Sequence, residues 1–274
     1  MIDTCPALSE RVQEARSRDS GNTVLMKEFQ GGALVITGAI SGPGLRSLPI
    51  RYAFMDEIDA YPADVSGEGD PVALVEKRTD TFTRKKRYKV STPTEKGLSR
   101  IDAEYQASDQ RRFYVPCPHC TEKQWLQWEQ VRWTTTTLHE LACTQCGVLS
   151  AVAADEAACP ACGAAVSDDA LHEHVTGELE KVWYECSHCH GEIGEHHKTA
   201  MLAAGTWLAQ SPGAGKAAGF HLSALYSPVG WFSWAQAVQE YLRAQNDLEN
   251  GTELKKVWTN TVLGQVFETP GQRV

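Results

Sequence analysis

Residues 50–57 read Ile50-Arg51-Tyr52-Ala53-Phe54-Met55-Asp56-Glu57, an apolar run broken once by arginine and stopped by two adjacent carboxylates. A run this short and apolar, ended so abruptly, suits a buried parallel strand. Working outward, a second short strand is expected at Tyr88–Ser91, closed by Thr92-Pro93, and Asp70-Pro71 should cap a helix running to about Phe82. Gly97–Ala107 carries Leu98, Ile101 and Tyr105 at helical spacing. Strand and helix therefore alternate over residues 50–107, which points to an α/β sheet. Upstream, Thr23–Phe29 and Ala33–Thr37 flank Gly31-Gly32 and read as a hairpin. Residues 4–16 read as a short amphipathic helix with Thr4 as N-cap and Leu8, Val12 and Ala15 on one face.

The chain has 274 residues, 42% of them hydrophobic and 22% charged, which excludes a disordered or low-complexity polymer. No apolar run approaches the roughly 20 residues of a membrane span, and the N-terminus lacks the apolar segment of a secretion signal. A soluble, cytoplasmic protein is expected. The net charge of −9 leaves no bulk electrostatic attraction to nucleic acid, so any such contact must be local.

Two acids at the carboxyl end of an apolar strand form the Walker B pattern of P-loop ATPases. In that reading Asp56 holds Mg²⁺ and Glu57 orients and deprotonates the attacking water. A strand that merely ends in two solvated acids is the plainer reading of the same residues. The run Val90-Ser91-Thr92-Pro93-Thr94 favours the first, because it sets hydroxyls at the end of a neighbouring strand. No G-x-x-x-x-G-K-[ST] loop occurs in the chain, and Gly38–Gly44 has no Lys-Ser/Thr after it. The chain by itself is expected not to bind ATP properly.

Eight of the nine cysteines fall in four C-x-x-C pairs, 117/120, 143/146, 159/162 and 186/189. Such pairs supply two soft ligands on one tight turn, so two pairs close a tetrahedral Zn²⁺ site with no open position. Twelve residues separate Cys146 from Cys159, a compact spacing that groups Cys143, Cys146, Cys159 and Cys162. Cys117, Cys120, Cys186 and Cys189 are then left as the second site, making residues 142–170 a guest ribbon inside a host ribbon. Sequential pairing, 117/120 with 143/146 and 159/162 with 186/189, is the rival, and His119, His188 or His190 could stand in for a cysteine. A structural zinc contributes about 10–16 kcal/mol of folding free energy. Cys5 is expected to be a small buried apolar residue.

Taken together, YAFMDEIDAYP from Tyr52, GEGDPVALVEKRTDTF, STPTEKGLSRID, YVPCPHC, GFHLSALYSPVGWFSW and NTVLG resemble the lambda-type phage terminase large subunit family, in order, over nearly the whole chain. The resemblance implies an N-terminal ATPase that drives viral double-stranded DNA into the procapsid and a C-terminal RNase H-like endonuclease that cuts concatemers. It implies ATP and Mg²⁺ as cofactors and DNA, the small terminase subunit and the portal of the procapsid as partners. It also implies a motor ring working in the host cytoplasm. Asp56 and Glu57 match the family's Walker B acids, and Ser91 and Thr92 match its coupling motif. Gly44–Ser47 resembles the stretch before Walker B, which makes Arg46 a candidate phosphate or DNA contact. The dense basic run Arg84, Lys85, Lys86 and Arg87, followed by Lys89, could face DNA phosphates, or simply be a solvated strand entrance.

By this resemblance the phosphate loop would lie before residue 1 and the first nuclease aspartate after Val274, so the chain reads as an internal piece. The expected fold is a partial P-loop (ASCE-type) parallel sheet over residues 1–112, a zinc-ribbon bridge over 113–195, and a helical, aromatic connector over 196–274 that leads to the nuclease. In the connector Trp207, Trp231, Trp234 and Trp258 with Phe220, Tyr226 and Phe232 should form core. His196-His197 belongs to the resemblance without an assigned role. A stand-alone zinc-ribbon protein that binds DNA or a partner, and an inactive prophage remnant, are the alternative readings.

Overall fold

The computed structural model describes residues 5–12, 23–46, 48–152, 158–165, 171–213, 217–247 and 250–269. The chain divides into two compact units, Met1–Ser91 and Thr92–Val274.

In the first unit, helix α1 (Pro6–Ser9) is followed by strands β1 (Met26–Phe29) and β2 (Gly32–Val35), an antiparallel hairpin in which Met26 faces Val35 and Phe29 faces Gly32. Gly31, at φ 93°, makes the turn that an L side chain resists. The helix expected over 4–16 ends after Ser9, and Val12 instead bridges to Phe29; Thr4 and residues 13–16 lie outside the described residues. Cys5 is half-buried rather than buried, since the four-residue helix it precedes has no buried residue. Helix α2 (Gly42–Arg46) leads to β3 (Tyr52–Asp56), α3 (Pro71–Arg78) and β4 (Lys86–Val90).

β3 and β4 pair in parallel, with Tyr52 against Lys86 and Asp56 against Val90, and α3 is the crossover between them. The Asp70 carboxylate caps α3 by accepting from the Ala73 N–H at 3.2 Å. The helix stops at Arg78, a turn short of Phe82, because the Thr79 hydroxyl donates to the Glu76 carbonyl at 2.7 Å and competes with the helical ladder. The parallel pairing agrees with the reading of residues 50–57, but full burial does not. Ala53 and Met55 face inward, while Tyr52 and Phe54 are 50% and 71% exposed. Among the described residues this sheet has two strands. On the outward face the Phe54 and Tyr88 rings stack at 4.9 Å.

The second unit begins with α4 (Arg100–Gln106), which Ser99 caps by accepting from Asp102 N at 3.1 Å. Strand β5 (Arg111–Pro116) pairs antiparallel with β6 (Lys123–Trp125). A 3₁₀ turn at Trp128–Gln130 separates β6 from β7 (Val131–Ala142). β8 (Leu149–Val152), β9 (Leu171–Glu185) and β10 (Glu192–Ile193) complete a four-stranded sheet in the order β10-β9-β7-β8. β7 and β9 form one long antiparallel arm whose register slips at Thr134–Thr137.

Helix α5 (Lys198–Ala203) and strands β11 (Thr206–Ala209) and β12 (Phe220–His221) follow, and β5 sits between β11 and β12. Helix α6 (Trp234–Asn246) opens with a reciprocal capping box between Ser233 and Gln236. Helix α7 (Gly251–Trp258) widens into a π turn over Thr259–Leu263.

The core of this unit gathers Val115, Val131, Tyr184, Ile193, Trp234 and Val238 with Cys117 and Cys186. Its largest aromatic side chains place their polar atoms on backbone groups. Trp234 Nε1 donates to the Leu225 carbonyl at 2.9 Å and Trp258 Nε1 to the Ala237 carbonyl at 3.0 Å. The Tyr226 hydroxyl donates to the Phe113 carbonyl and accepts from Leu126 N, and burial pushes its pKa up to about 12. Trp128, Trp133, Tyr241 and Trp258 interlock with centroids 4.7–5.9 Å apart, fastening the base of the arm to α6 and α7. Of the connector aromatics read as core, Trp234, Trp258 and Tyr226 are buried, whereas Trp231 and Phe220 are exposed.

Gly219 explains the glycine of GFHLSALYSP. A Cβ there would stand 1.9 Å from Ser108 Oγ, and Gly219 cannot retreat because its N–H donates to Asp109 Oδ1 at 3.1 Å and its carbonyl accepts from Arg111 N at 2.7 Å. Gly219→Ala should lower the stability of this unit by about 1–3 kcal/mol. An unchanged urea midpoint would show that the contact relaxes freely.

Candidate functional sites

Because Asp56 and Val90 are in register on parallel strands, Glu57 and Ser91, one residue further along each, emerge side by side. The Ser91 hydroxyl donates to Glu57 Oε2 at 3.4 Å and accepts from Asp59 N at 3.2 Å. Glu57 lies in the left-handed region, φ 54° and ψ 48°, which costs a non-glycine residue about 1–2 kcal/mol. That backbone turns the chain sharply at the strand end and leaves the Asp56 and Glu57 side chains exposed. Tyr61 is raised above its ordinary pKa, first by burial and then by the Asp56 carboxylate. Thr92 is exposed and begins the second unit.

The cationic candidates are largely committed within the chain. Arg46 pairs with Glu68 at 2.9 Å. Lys85 and Arg87 both reach Asp80, at 2.6 and 2.8 Å, Arg87 also donates to the Glu76 carbonyl and the Thr79 hydroxyl, and Lys89 pairs with Glu76 at 2.7 Å. Among the described residues, the side chains of Arg84 and Lys86 are the two of the 84–87 run outside any ion pair. Asp80 is held below its ordinary pKa by the Lys85 hydrogen bond above all.

The eight paired cysteines form two groups, Cys117/Cys120/Cys186/Cys189 and Cys143/Cys146/Cys159/Cys162, whose sulfurs all lie within 4.8 Å of one another in each group. Sequential pairing is thereby excluded. Each pair sits on the same backbone knuckle. The residue following the second cysteine, Thr121, Gly147, Gly163 or His190, has positive φ and donates its N–H to the carbonyl of the first cysteine at 2.8–3.0 Å. Two of these positions are glycine, while Thr121 and His190 accept the strain. In the first group the N–H groups of His119 and His188 point at Cys117 Sγ and Cys186 Sγ, both at 3.4 Å.

The groups fit a tetrahedral dication. Sulfurs at Zn–S distances of about 2.3 Å stand about 3.8 Å apart along a tetrahedron edge. Two of the six separations in each group are 3.9 Å for Cys117–Cys189 and 3.8 Å for Cys120–Cys186, and 3.7 Å for Cys143–Cys162 and 3.9 Å for Cys146–Cys159, and the others are no longer than 4.8 Å.

Backbone N–H groups of Cys146 and Gln145 draw Cys143 down to about 6. Opposite it, the Ala164 N–H pulls Cys162 down, but crowding by Cys146, burial and the other two thiols outweigh that pull and carry it up to about 12. Four sulfurs this close cannot all ionise without a cation among them. The groups are made of cysteines alone among the described residues, and His119 Nε2 is engaged with the Glu192 carbonyl at 2.8 Å.

Sequence reasoning missed a charged pair. In GEHHK, Glu195 accepts from Trp234 N at 3.1 Å, at the start of α6, and pairs with Lys198 Nζ at 2.5 Å. Lys198 is fully buried and its ammonium lies 5.1 Å from the Trp234 ring centroid. No local pattern marks a lysine as buried; the only signal is its i,i+3 spacing from a glutamate ahead of a helix. GFHLSALYSP and NTVLG also meet, through His221 Nε2 and the Gly264 carbonyl at 2.9 Å. Burial first, and Arg112 second, lower the His221 pKa to about 4, so the ring is a neutral donor at pH 7.

A family model described as phage terminase large subunit gpA, ATPase domain, matches residues 1–158, and a second, terminase large subunit gpA, endonuclease domain, matches residues 217–274. The terminase large subunit of Enterobacteria phage P21 is 26% identical over 290 aligned positions, covering 97% of this chain and 38% of that protein. That of Escherichia phage lambda is 25% identical over 262, covering 90% and 35%. No solved structure matches. The chain thus spans little more than a third of the length of the curated relatives it matches. Since the ATPase-domain model alone covers more than half of the 274 residues, the chain belongs to the phage terminase large subunit family.

Proposed function

We propose that this chain carries the hydrolytic acids and coupling residues of a DNA-packaging ATPase, together with a zinc-bearing bridge toward an endonuclease. The observation that carries the reading is the parallel register of Asp56 with Val90, which sets the Ser91 hydroxyl against the Glu57 carboxylate at a strand end. Strand ends of this kind face the nucleotide crevice in open α/β sheets. In this reading Asp56 would hold the Mg²⁺ of MgATP, which when bound would supply charge neutralisation at the phosphates. Glu57 takes the proton of the attacking water. Ser91, bonded to Glu57 and to the backbone of Asp59, registers that event, and Thr92 carries it onward.

The finer assignments go with it: a P-loop type sheet over residues 1–112, a zinc ribbon over 113–195, a connector over 196–274 and an RNase H-like nuclease in the longer protein. Viral double-stranded DNA, the small subunit and the portal are its partners in the host cytoplasm. Arg84 and Lys86 are the phosphate contacts this reading retains, because Lys85 and Arg87 are already neutralised by Asp80. Each cysteine group holds one structural Zn²⁺, closed by four thiolates and without an open position for catalysis.

In a full-length terminase large subunit containing this segment, Glu57→Gln should lower ATP turnover about a hundredfold or more while leaving nucleotide binding intact. Turnover at the wild-type rate would refute the assignment of Glu57.

A further inference from the structure

The two cysteine groups are chemically alike and structurally unlike. Cys117 and Cys186 belong to the main core of their unit, packed with Val115, Tyr184, Ile193 and Trp234, and of the four ligands only Cys189 is exposed. The other group sits beyond the far end of the β7/β9 arm, a 12-residue strand that spans roughly 35–40 Å. Its core is Leu141, Cys143, Val152 and Cys159, with Ala164 against it, and Cys146 and Cys162 are exposed. Among the described residues two cysteines thus make up half of a four-residue buried core, far too little apolar area to offset the entropy of ordering the segment.

We infer that the distal group is a separately exchangeable metal site. Zn²⁺, or another thiophilic dication, orders the two knuckles Cys143–Gly147 and Cys159–Gly163 and can leave without disturbing the rest of the chain, whereas the proximal metal is integral to the main core. This rests on the zinc reading proposed above and adds to it an order of release. A chelator meets two exposed sulfurs at the distal site and one at the proximal. Loss of the distal ion frees two knuckles that, among the described residues, pack only on Leu141, Val152 and Ala164. Loss of the proximal ion unpins the turns that close β5–β6 and β9–β10, and with them the core that Tyr184 and Trp234 share.

The chain contains a built-in reporter. Its eight tryptophans are Trp125, Trp128, Trp133, Trp183, Trp207, Trp231, Trp234 and Trp258, and no Phe, Tyr or Trp occurs between Trp133 and Trp183. Indole emission is therefore blind to the distal site and sensitive to the proximal one.

The test is a titration of the zinc-loaded chain with a chromophoric chelator, following zinc release, tryptophan emission and limited proteolysis together. The expected result is two steps. The first ion leaves with emission unchanged while cleavage appears within 143–165, and the second leaves with an emission shift. Cys146→Ser with Cys162→Ser should halve the zinc content, from two ions to one, and keep the wild-type emission. Simultaneous release, a first step that shifts emission, or a double variant without native emission would overturn the inference while leaving zinc binding established. A chain that takes up no zinc would remove the zinc reading itself, and the inference with it.

Discussion

Cys186→Ser is expected to cost the larger unit its cooperative fold. The Cys186 sulfur is fully buried, receives the His188 N–H, and lies in a core cluster with Val115, Tyr184 and Ile193. Burial opposes its ionisation, yet the backbone N–H groups of Cys189 and His188 and the neighbouring thiols bring its pKa down to about 6. A serine oxygen in its place is a poor zinc ligand, and three thiols would be left crowded around a vacancy in the core. A structural zinc site is worth about 10–16 kcal/mol, against about 5–15 kcal/mol for the net stability of a whole domain, so loss of the site exceeds what the unit has to spare. The measurement is zinc content with a urea melt followed by tryptophan emission. One ion per chain and a broad, non-cooperative melt are expected. Two ions and a wild-type melt would show that the proximal metal does not depend on Cys186.

Lys198→Met should cost about 3–5 kcal/mol, the usual loss when one partner of a buried ion pair is removed. Lys198 cannot be replaced by water, because its side chain is 1% exposed. Without it the Glu195 carboxylate, itself only a quarter exposed, keeps its hydrogen bond from Trp234 N but loses its counter-ion. The start of α6 would then carry an uncompensated charge beside the Trp234 ring. Removing both charges relieves this, so Glu195→Gln combined with Lys198→Met should be less destabilised than the lysine variant alone, a coupling that a double-mutant cycle in urea resolves. A Lys198→Met cost below about 1 kcal/mol would place the pair among ordinary surface ion pairs.

Much of this architecture was legible because its causes are local. The Asp70, Ser99 and Ser233 caps each act over three residues, and the Asp70 cap was read from the sequence as a polar residue ahead of Pro71. The β1–β2 hairpin follows from one glycine turn. The helix over 4–16 failed for an equally physical reason: its first turn buries nothing, and Val12 found a strand partner instead. The basic run illustrates a different limit. Charge density at 84–87 is plain in the sequence, but Asp80 and Glu76 neutralise Lys85, Arg87 and Lys89 only because α3 delivers them alongside β4.

Local chemistry by itself determined the strand-end acids, the four cysteine knuckles and the helix starts, because each is closed by atoms within about five residues of one another. Tertiary structure decided what those pieces meet. Cys117 and Cys189 lie 72 residues apart and Cys120 and Cys186 lie 66 apart, and the long β7/β9 arm, not any neighbouring residue, brings them together. The same holds for the Ser91 hydroxyl at Glu57, 34 residues away, and for Lys198 beneath Trp234. A contact between residues so distant in sequence exists only once the chain between them has folded and its loop entropy has been offset by the core, so no short window of sequence can contain it.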